Sequence, residues 1–491
     1  MAKVTKILGS LVGVSALWLG GTAYISSNTQ SYLDAYVKKT NALYESNGMN
    51  LSVENFEKGF FSSQAELLID FTNPEMKKLV SKSLKLPLKF KYNIENGPLL
   101  FQNGLALGLS RISDSHKIND YLVDNSEFKK SLKNELILKS ITRVDFTKNA
   151  HFDASLSEIV IEADGETLKT APLLLDGEMN LQTFQGDIDL KTEAIYFTHK
   201  DDFFKANNIV MHGEIREFYD NGFYLGDFKF DVGEINTKGL DLPFSFEKAQ
   251  LSFDVDISKH KNETVNMDFK LEGNSGASKL PDAYAFLKKA SLNYSLKGMK
   301  LDGLLAFQNF TKALQAKQAD IVSRLISPTT GQMDMEVYAE LEAMQDETKY
   351  GMIALLPSIL KKDSSAFDLA INLEDKANKK STLALNIDYV GDIVFPKDAK
   401  EIEKTFQKEL LNLLSLDMKV NLEKAYIENL PAQLQQELAG QLQMGAMLGI
   451  VKENNSSFSF EANLKPNMLK VNGEDRSSML EMLDKSLSLG I

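Results

Sequence analysis

Ser358 and Lys361 stand in an S-x-x-K spacing on a predicted helix, the arrangement in which a lysine amine can lie over a serine nucleophile. The S-D-N and K-T-G partners of that chemistry are absent, and a chain of 491 residues produces the spacing readily by chance. An exposed helix end is the reading adopted. His199, Asp201 and Asp202 offer metal-ligand atoms but sit at none of the helical or cysteine-based ligand spacings. His116, His151, His212 and His260 are scattered over polar strand faces and loops and read as surface residues. There is no phosphate-cradling glycine loop of either standard spacing and no G-x-S-x-G elbow. Zero cysteines remove thiolate nucleophiles, thiolate metal sites, iron–sulfur clusters and disulfide frameworks. No catalytic residue, cofactor or metal ligand is therefore assigned.

Gly440, Gly445 and Gly449 in AGQLQMGAMLGI have a spacing that lets one helix approach another backbone closely. Five glutamines between Gln433 and Gln443 make the segment too polar for a bilayer. It is expected to pack tightly on a sheet; the functional alternative is a methionine-rich lip on an apolar groove, built from Met444 and Met447.

The element that fixes where the chain works is the uncharged run Ile7 to Ile25, which includes Leu11, Val14, Leu17 and Trp18 and follows Lys3 and Lys6. At ~1.5 Å per residue it reaches roughly 28 Å, about the thickness of a bilayer's hydrocarbon core. The lysines keep the N-terminus cytoplasmic and send the body across. The run exceeds the apolar core of a usual signal peptide, so it reads as an uncleaved transmembrane signal anchor; Gly21 and Ala23 mark the alternative cleavage site. A net charge of -13 argues against a nucleic-acid partner.

Beyond the anchor (residues 1–26) an amphipathic stalk helix is expected over 27–48, then an antiparallel β region over 49–273 and a β region with packed helices over 274–491. Leu251, Phe253, Val255 and Ile257 alternate with polar residues, as do Met267, Phe269 and Leu271. Period-two alternation puts the apolar side chains on one face of a sheet and wets the other. Glu57 to Gly59 reads as a hairpin turn, and Gly273 to Ala283 as the boundary between the two halves. Helices are expected at Leu304 to Leu325, Met352 to Lys362, Ile402 to Leu414 and Leu434 to Met447, with strands at Ala366 to Leu373, Leu383 to Tyr389 and Leu414 to Leu422. The fold class is mainly β with several packed helices (α+β), a transmembrane helix leading into a large curved antiparallel sheet.

The anchor with its stalk, the stretch NFEKGFFSSQAELLIDF (Asn55 to Phe71) and the ending FSFEANLKPNMLKVNGE (Phe458 to Glu474) together resemble the YdgA-like family of bacterial envelope proteins, a domain of unknown function. Where that family often carries Tyr and Arg before the glycine, this chain has Phe56 and Lys58. The resemblance implies an inner-membrane-anchored protein with its body in the periplasm. It brings no catalytic residue with it.

Two functional readings follow. In one, the apolar face holding Leu251, Phe253, Val255, Met267, Phe269 and Leu271 binds or transfers a lipid or another apolar envelope component, by analogy with tethered periplasmic proteins of taco-like β architecture. In the other, the chain's own helices fill that face and the protein is a structural or assembly factor that binds other envelope proteins. The expected partners are the inner-membrane bilayer, a lipid ligand or envelope proteins.

Overall fold

The computed structural model describes residues 48–57, 62–96, 99–239, 244–260, 263–325, 335–391 and 411–480, with isolated helical positions at 37–41 and 401–409. The anchor Ile7 to Ile25 and most of the helix expected at Ile402 to Leu414 lie outside the described residues. Among the described residues no helix is long and apolar enough to cross a membrane. The chain divides into two compact units, Met1–Val232 and Gly233–Ile491.

In the first unit the strands are β1 (Met49–Glu57), β2 (Ser62–Phe71), β3 (Leu88–Asn96), β4 (Leu99–Leu100), β5 (Ala106–Leu107), β6 (Ser110–Lys117), β7 (Ile137–Val144), β8 (Asn149–Leu156), β9 (Ile159–Ala163), β10 (Glu166–Thr170), β11 (Leu173–Asn180), β12 (Gly186–His199) and β13 (Asp202–Phe218). A further strand, β14 (Tyr224–Lys238), crosses the division. The hairpin expected at Glu57 to Gly59 is the β1–β2 pair, with Leu51 opposite Ile69. Antiparallel pairing runs on through β3, β6, β7, β8, β11, β12 and β13. Each strand turns Leu, Ile, Phe or Tyr to one side, and the segment between β6 and β7 lies across that side. Ile118, Leu122, Phe128 and Leu136 pack there against Leu67, Phe90, Ile94 and Phe152. The core is closed: Leu67 is 2% exposed and Leu122 0%. Of the expected stalk, residues 37, 38, 40 and 41 are helical, and Val37 packs against this core. The Asn41 side chain accepts from the Leu51 N–H at 2.7 Å and donates to the Leu51 carbonyl at 2.9 Å, so this part is docked on β1.

In the second unit β15 (Ala249–His260), β16 (Thr264–Asn274), β17 (Leu287–Lys300), β18 (Ala366–Asp375), β19 (Lys380–Tyr389), β20 (Leu414–Glu423), β21 (Lys452–Glu453), β22 (Ser457–Lys465), β23 (Met468–Val471) and β24 (Glu474–Asp475) follow. These strands pair antiparallel from β15 through β20 and then to β22 and β23. Gly273 to Ala283 leads from β16 to its partner β17 inside this unit, whereas the division between units falls at Val232 and Gly233.

Two short helices, α1 (Pro74–Val80) and α2 (Glu127–Ser131), belong to the first unit. The second has α3 (Leu301–Leu325), α4 (Met335–Ile359), α5 (Lys424–Glu428) and α6 (Ala432–Met447). The helix expected at Met352 to Lys362 thus starts at Met335; its first half is charged and buries only Val337 and Met344, so the pattern is thin. α3 and α4 form an antiparallel hairpin. Ile321 packs with Val337 and Met344, and Arg324 pairs with Glu340 at 2.7 Å. The α3 stripe is thus partnered by α4 along this seam.

Candidate functional site

Strand register in the second unit lines up apolar residues in rows that cross the sheet. Val255 is opposite Phe269, then Tyr294, Leu369, Leu385, Met418 and Ala462 follow from β17 to β22. A second row runs from Ile257 through Met267, Leu296, Phe367, Ile387 and Leu416 to Leu464. The third begins at Phe253 and Leu271 and continues through Leu292, Ile371, Leu383 and Val420 to Phe460. Directly paired residues share a face. These three rows of seven contain no charged side chain, and Tyr294 supplies their single polar group. Its ring stacks on Phe269 with centroids 4.2 Å apart, and burial raises its hydroxyl pKa.

This face is not closed as the first unit's is. Phe253, Val255, Met267 and Phe269 are half-buried, Leu251 is 36% exposed and Leu271 41%. The six residues singled out from sequence therefore share one side of β15 and β16. α6 does not lie tightly on the sheet as expected: it has no buried residue, Leu434 and Met444 are exposed, and Met447 is 84% exposed. A Cβ at Gly440 would meet nothing within 4 Å, so this glycine serves no close approach. The small-residue spacing came from a polar helix that is mostly in solvent.

The opposite face is polar and internally bonded. Asn386 donates to Asp368 at 2.6 Å, Lys297 pairs with Asp368, and Asn463 bonds Asp417. The small Ala370 and Ala384 leave a shallow hollow of about 410 Å³ between Asp368, Asn386, Asp417 and Lys419.

The chemical candidates are not assembled into a site. The Ser358 hydroxyl donates to the Leu355 carbonyl at 2.7 Å in the last turn of α4. His199 lies 3.7 Å from Glu166, and among the described residues no three His, Asp or Glu side chains are placed to hold a metal ion. His151 sits between Asp145 at 3.3 Å and Glu178 at 3.1 Å, and His212 is 3.2 Å from Asp189, all partly exposed. The surface reading fails for His116. Its register partners place it on the core side of β6, where its ring packs edge-on to Phe90 and Tyr92. Burial holds its imidazole below the usual pKa. Two residues earlier on the same side, Asp114 is pushed up to about 7 by burial, against a backbone hydrogen bond from Asn93. Sequence reading missed this pair because Ile112, Asp114 and His116 share a parity in which only the first is apolar.

A family model described as "Bacterial protein of unknown function (DUF945)" matches residues 1–477. Among curated proteins the chain is similar to two from Escherichia coli K12. It is 30% identical over 95 residues to "Uncharacterized protein YihF" and 27% identical over 179 residues to "Protein YdgA". These matches cover 18% and 34% of this chain, and 20% and 34% of the relatives' own lengths. No solved structure matches.

Proposed function

We propose, from the premise that this chain belongs to the DUF945 family of bacterial proteins of unknown function, that it is an envelope protein that takes up apolar molecules. In this reading Ile7 to Ile25 hold it at the inner membrane, the body lies in the periplasm, and the open face of the second unit receives the hydrocarbon part of a lipid or another elongated apolar component. The observation that carries the reading is the set of three uncharged rows, seven strands wide, most of whose members are half-exposed. At ~4.8 Å between strands a row extends about 29 Å, long enough for an extended hydrocarbon chain. Covering ~300 Å² of such surface contributes on the order of 7 kcal/mol before the cost of ordering the ligand. A face without ionisable groups other than Tyr294 recognises chains, not headgroups.

The test is native mass spectrometry with lipid extraction on the body from Ser27 onward, purified from the periplasm without detergent. Co-purifying lipid that disappears in Phe253→Glu or Phe269→Glu, with circular dichroism unchanged, is the expected outcome. A ligand-free, monodisperse protein that takes up no added phospholipid rejects it.

The second reading, an assembly factor acting on envelope proteins, is favoured by the exposed Leu434, Met444 and Met447 of α6.

A further inference from the structure

The connection from β3 to β6 is built in an unusual way. Residues 97–110, GPLLFQNGLALGLS, carry no charge. Within them β4 and β5 pair, Leu99 with Leu107 and Leu100 with Ala106, and the tip turns through Asn103 and Gly104 at positive φ. Leu100 is fully buried at the base, but Phe101 is 69% exposed, Leu105 74% and Leu107 63%. Phe146, in the turn joining β7 to β8, is exposed at the same end of the strands, where Leu109 N–H donates to the Val144 carbonyl at 2.7 Å.

Two buried charges hold this tip. Glu95 and Arg111 are opposite each other in the β3–β6 register, and each is nearly inaccessible. The Glu95 carboxylate accepts the backbone N–H groups of Phe101 and Gln102, and Arg111 Nη1 donates to the Gly104 carbonyl at 2.7 Å. Gly108 lets the base close in: a Cβ there would meet the Val144 carbonyl oxygen at 2.7 Å. Burying a carboxylate and a guanidinium is unfavourable unless both are well bonded. Here their bonds go to the backbone of a loop whose largest side chains face solvent, so they stiffen a projection that adds little to the core.

We propose that this hairpin, together with Phe146, is a finger that dips into the surface of a lipid bilayer. Apolar surface alone also fits a pocket on another protein. The bilayer is favoured because the whole run is uncharged, and because Glu95 and Arg111 satisfy tip backbone groups from within, as a lipid environment demands. The net charge of -13 disfavours attraction to anionic headgroups, so contact rests on insertion of Phe101, Leu105 and Leu107, to a depth of about 5–10 Å. The inference is independent of what the second unit's open face holds.

Because the chain has no cysteine, single labels are unambiguous. Leu105→Cys, and Glu135→Cys at the far end of β7 as control, each carry an environment-sensitive fluorophore in the full chain reconstituted into phosphatidylcholine vesicles. Both positions are exposed, so the fold is not at issue. The expected result is a blue shift at position 105 and severalfold stronger quenching there by nitroxide-bearing lipid than at 135. Equal access of aqueous iodide to both labels overturns the proposal. Shielding of position 105 from iodide without quenching by nitroxide lipid also overturns it, and assigns the finger to a protein surface instead.

Discussion

Asp114 carries its proton to about neutrality because burial penalises the charged carboxylate, and the Asn93 N–H recovers only part of that penalty. The folded-state pKa of about 7 lies above the unfolded value of 3.8, so the folded protein binds more protons between the two. Stability contributed by this group is therefore full at about pH 4 and lost as pH rises toward about 7. The shift is on the order of 2–4 kcal/mol after allowance for partial solvation. His116 acts in the opposite sense, its depressed pKa costing stability as pH falls below 6.5. Asp114→Asn removes the first effect only. Urea unfolding should show the variant more stable than the parent at about pH 8 and nearly equal at about pH 4; an equal gap at both pH values refutes the assignment. A period-two pattern broken by Asp and His at core parity leaves no mark that distinguishes this core face from a wet one.

At the level of elements, glycines separate two kinds of helix. A Cβ at Gly303 would lie 2.1 Å from the Ser358 carbonyl oxygen, where α3 meets the end of α4 backbone to backbone. Gly303→Ala gains about 1 kcal/mol of helix propensity but forces the helical ends apart at a cost of about 1–3 kcal/mol or more. Gly440→Ala meets nothing within 4 Å and keeps the gain of about 1 kcal/mol. Thermal melts should show a lower Tm for the first variant and an equal or higher one for the second. β15, β18 and β19 were legible because Leu251 to Ile257, Ala366 to Leu373 and Leu383 to Tyr389 alternate without interruption, whereas β17, between the expected boundary at Gly273 to Ala283 and α3, was not read as a strand. α4 was half legible: Met352 onward is apolar, while Met335 to Gly351 is a charged surface broken only by its seam. The role of Gly440 was illegible, since a spacing of small residues does not say whether a second backbone is there to meet them.

Across the whole molecule, strands with the same alternation end differently in the two units. In the first, the face of β2, β3 and β8 is closed by Ile118, Leu122, Phe128 and Leu136, supplied by its own chain; in the second most members of the three rows stay half-exposed. Alternation reports that a face is apolar but not what covers it. The division at Val232 and Gly233 left no trace either, because it falls inside β14, where no proline or polar cluster interrupts the chain. Amide hydrogen exchange should therefore be slowest at Ala65 to Ile69 and Phe90 to Ile94, and faster at Leu369 to Ile371 and Leu383 to Leu385, with sheet hydrogen bonds wet from both sides. Equal protection in both sets is the contrary result. The rows also carry a consequence of repetition. Their rungs recur about every 4.8 Å with nearly the same chemistry and, beyond the Tyr294 hydroxyl, no landmark. Such a surface is a ruler without numerals: a short guest has many equivalent berths and slides among them, while one longer than the row overhangs into water. It sorts what it carries by length and girth and is nearly blind to the identity of the ends.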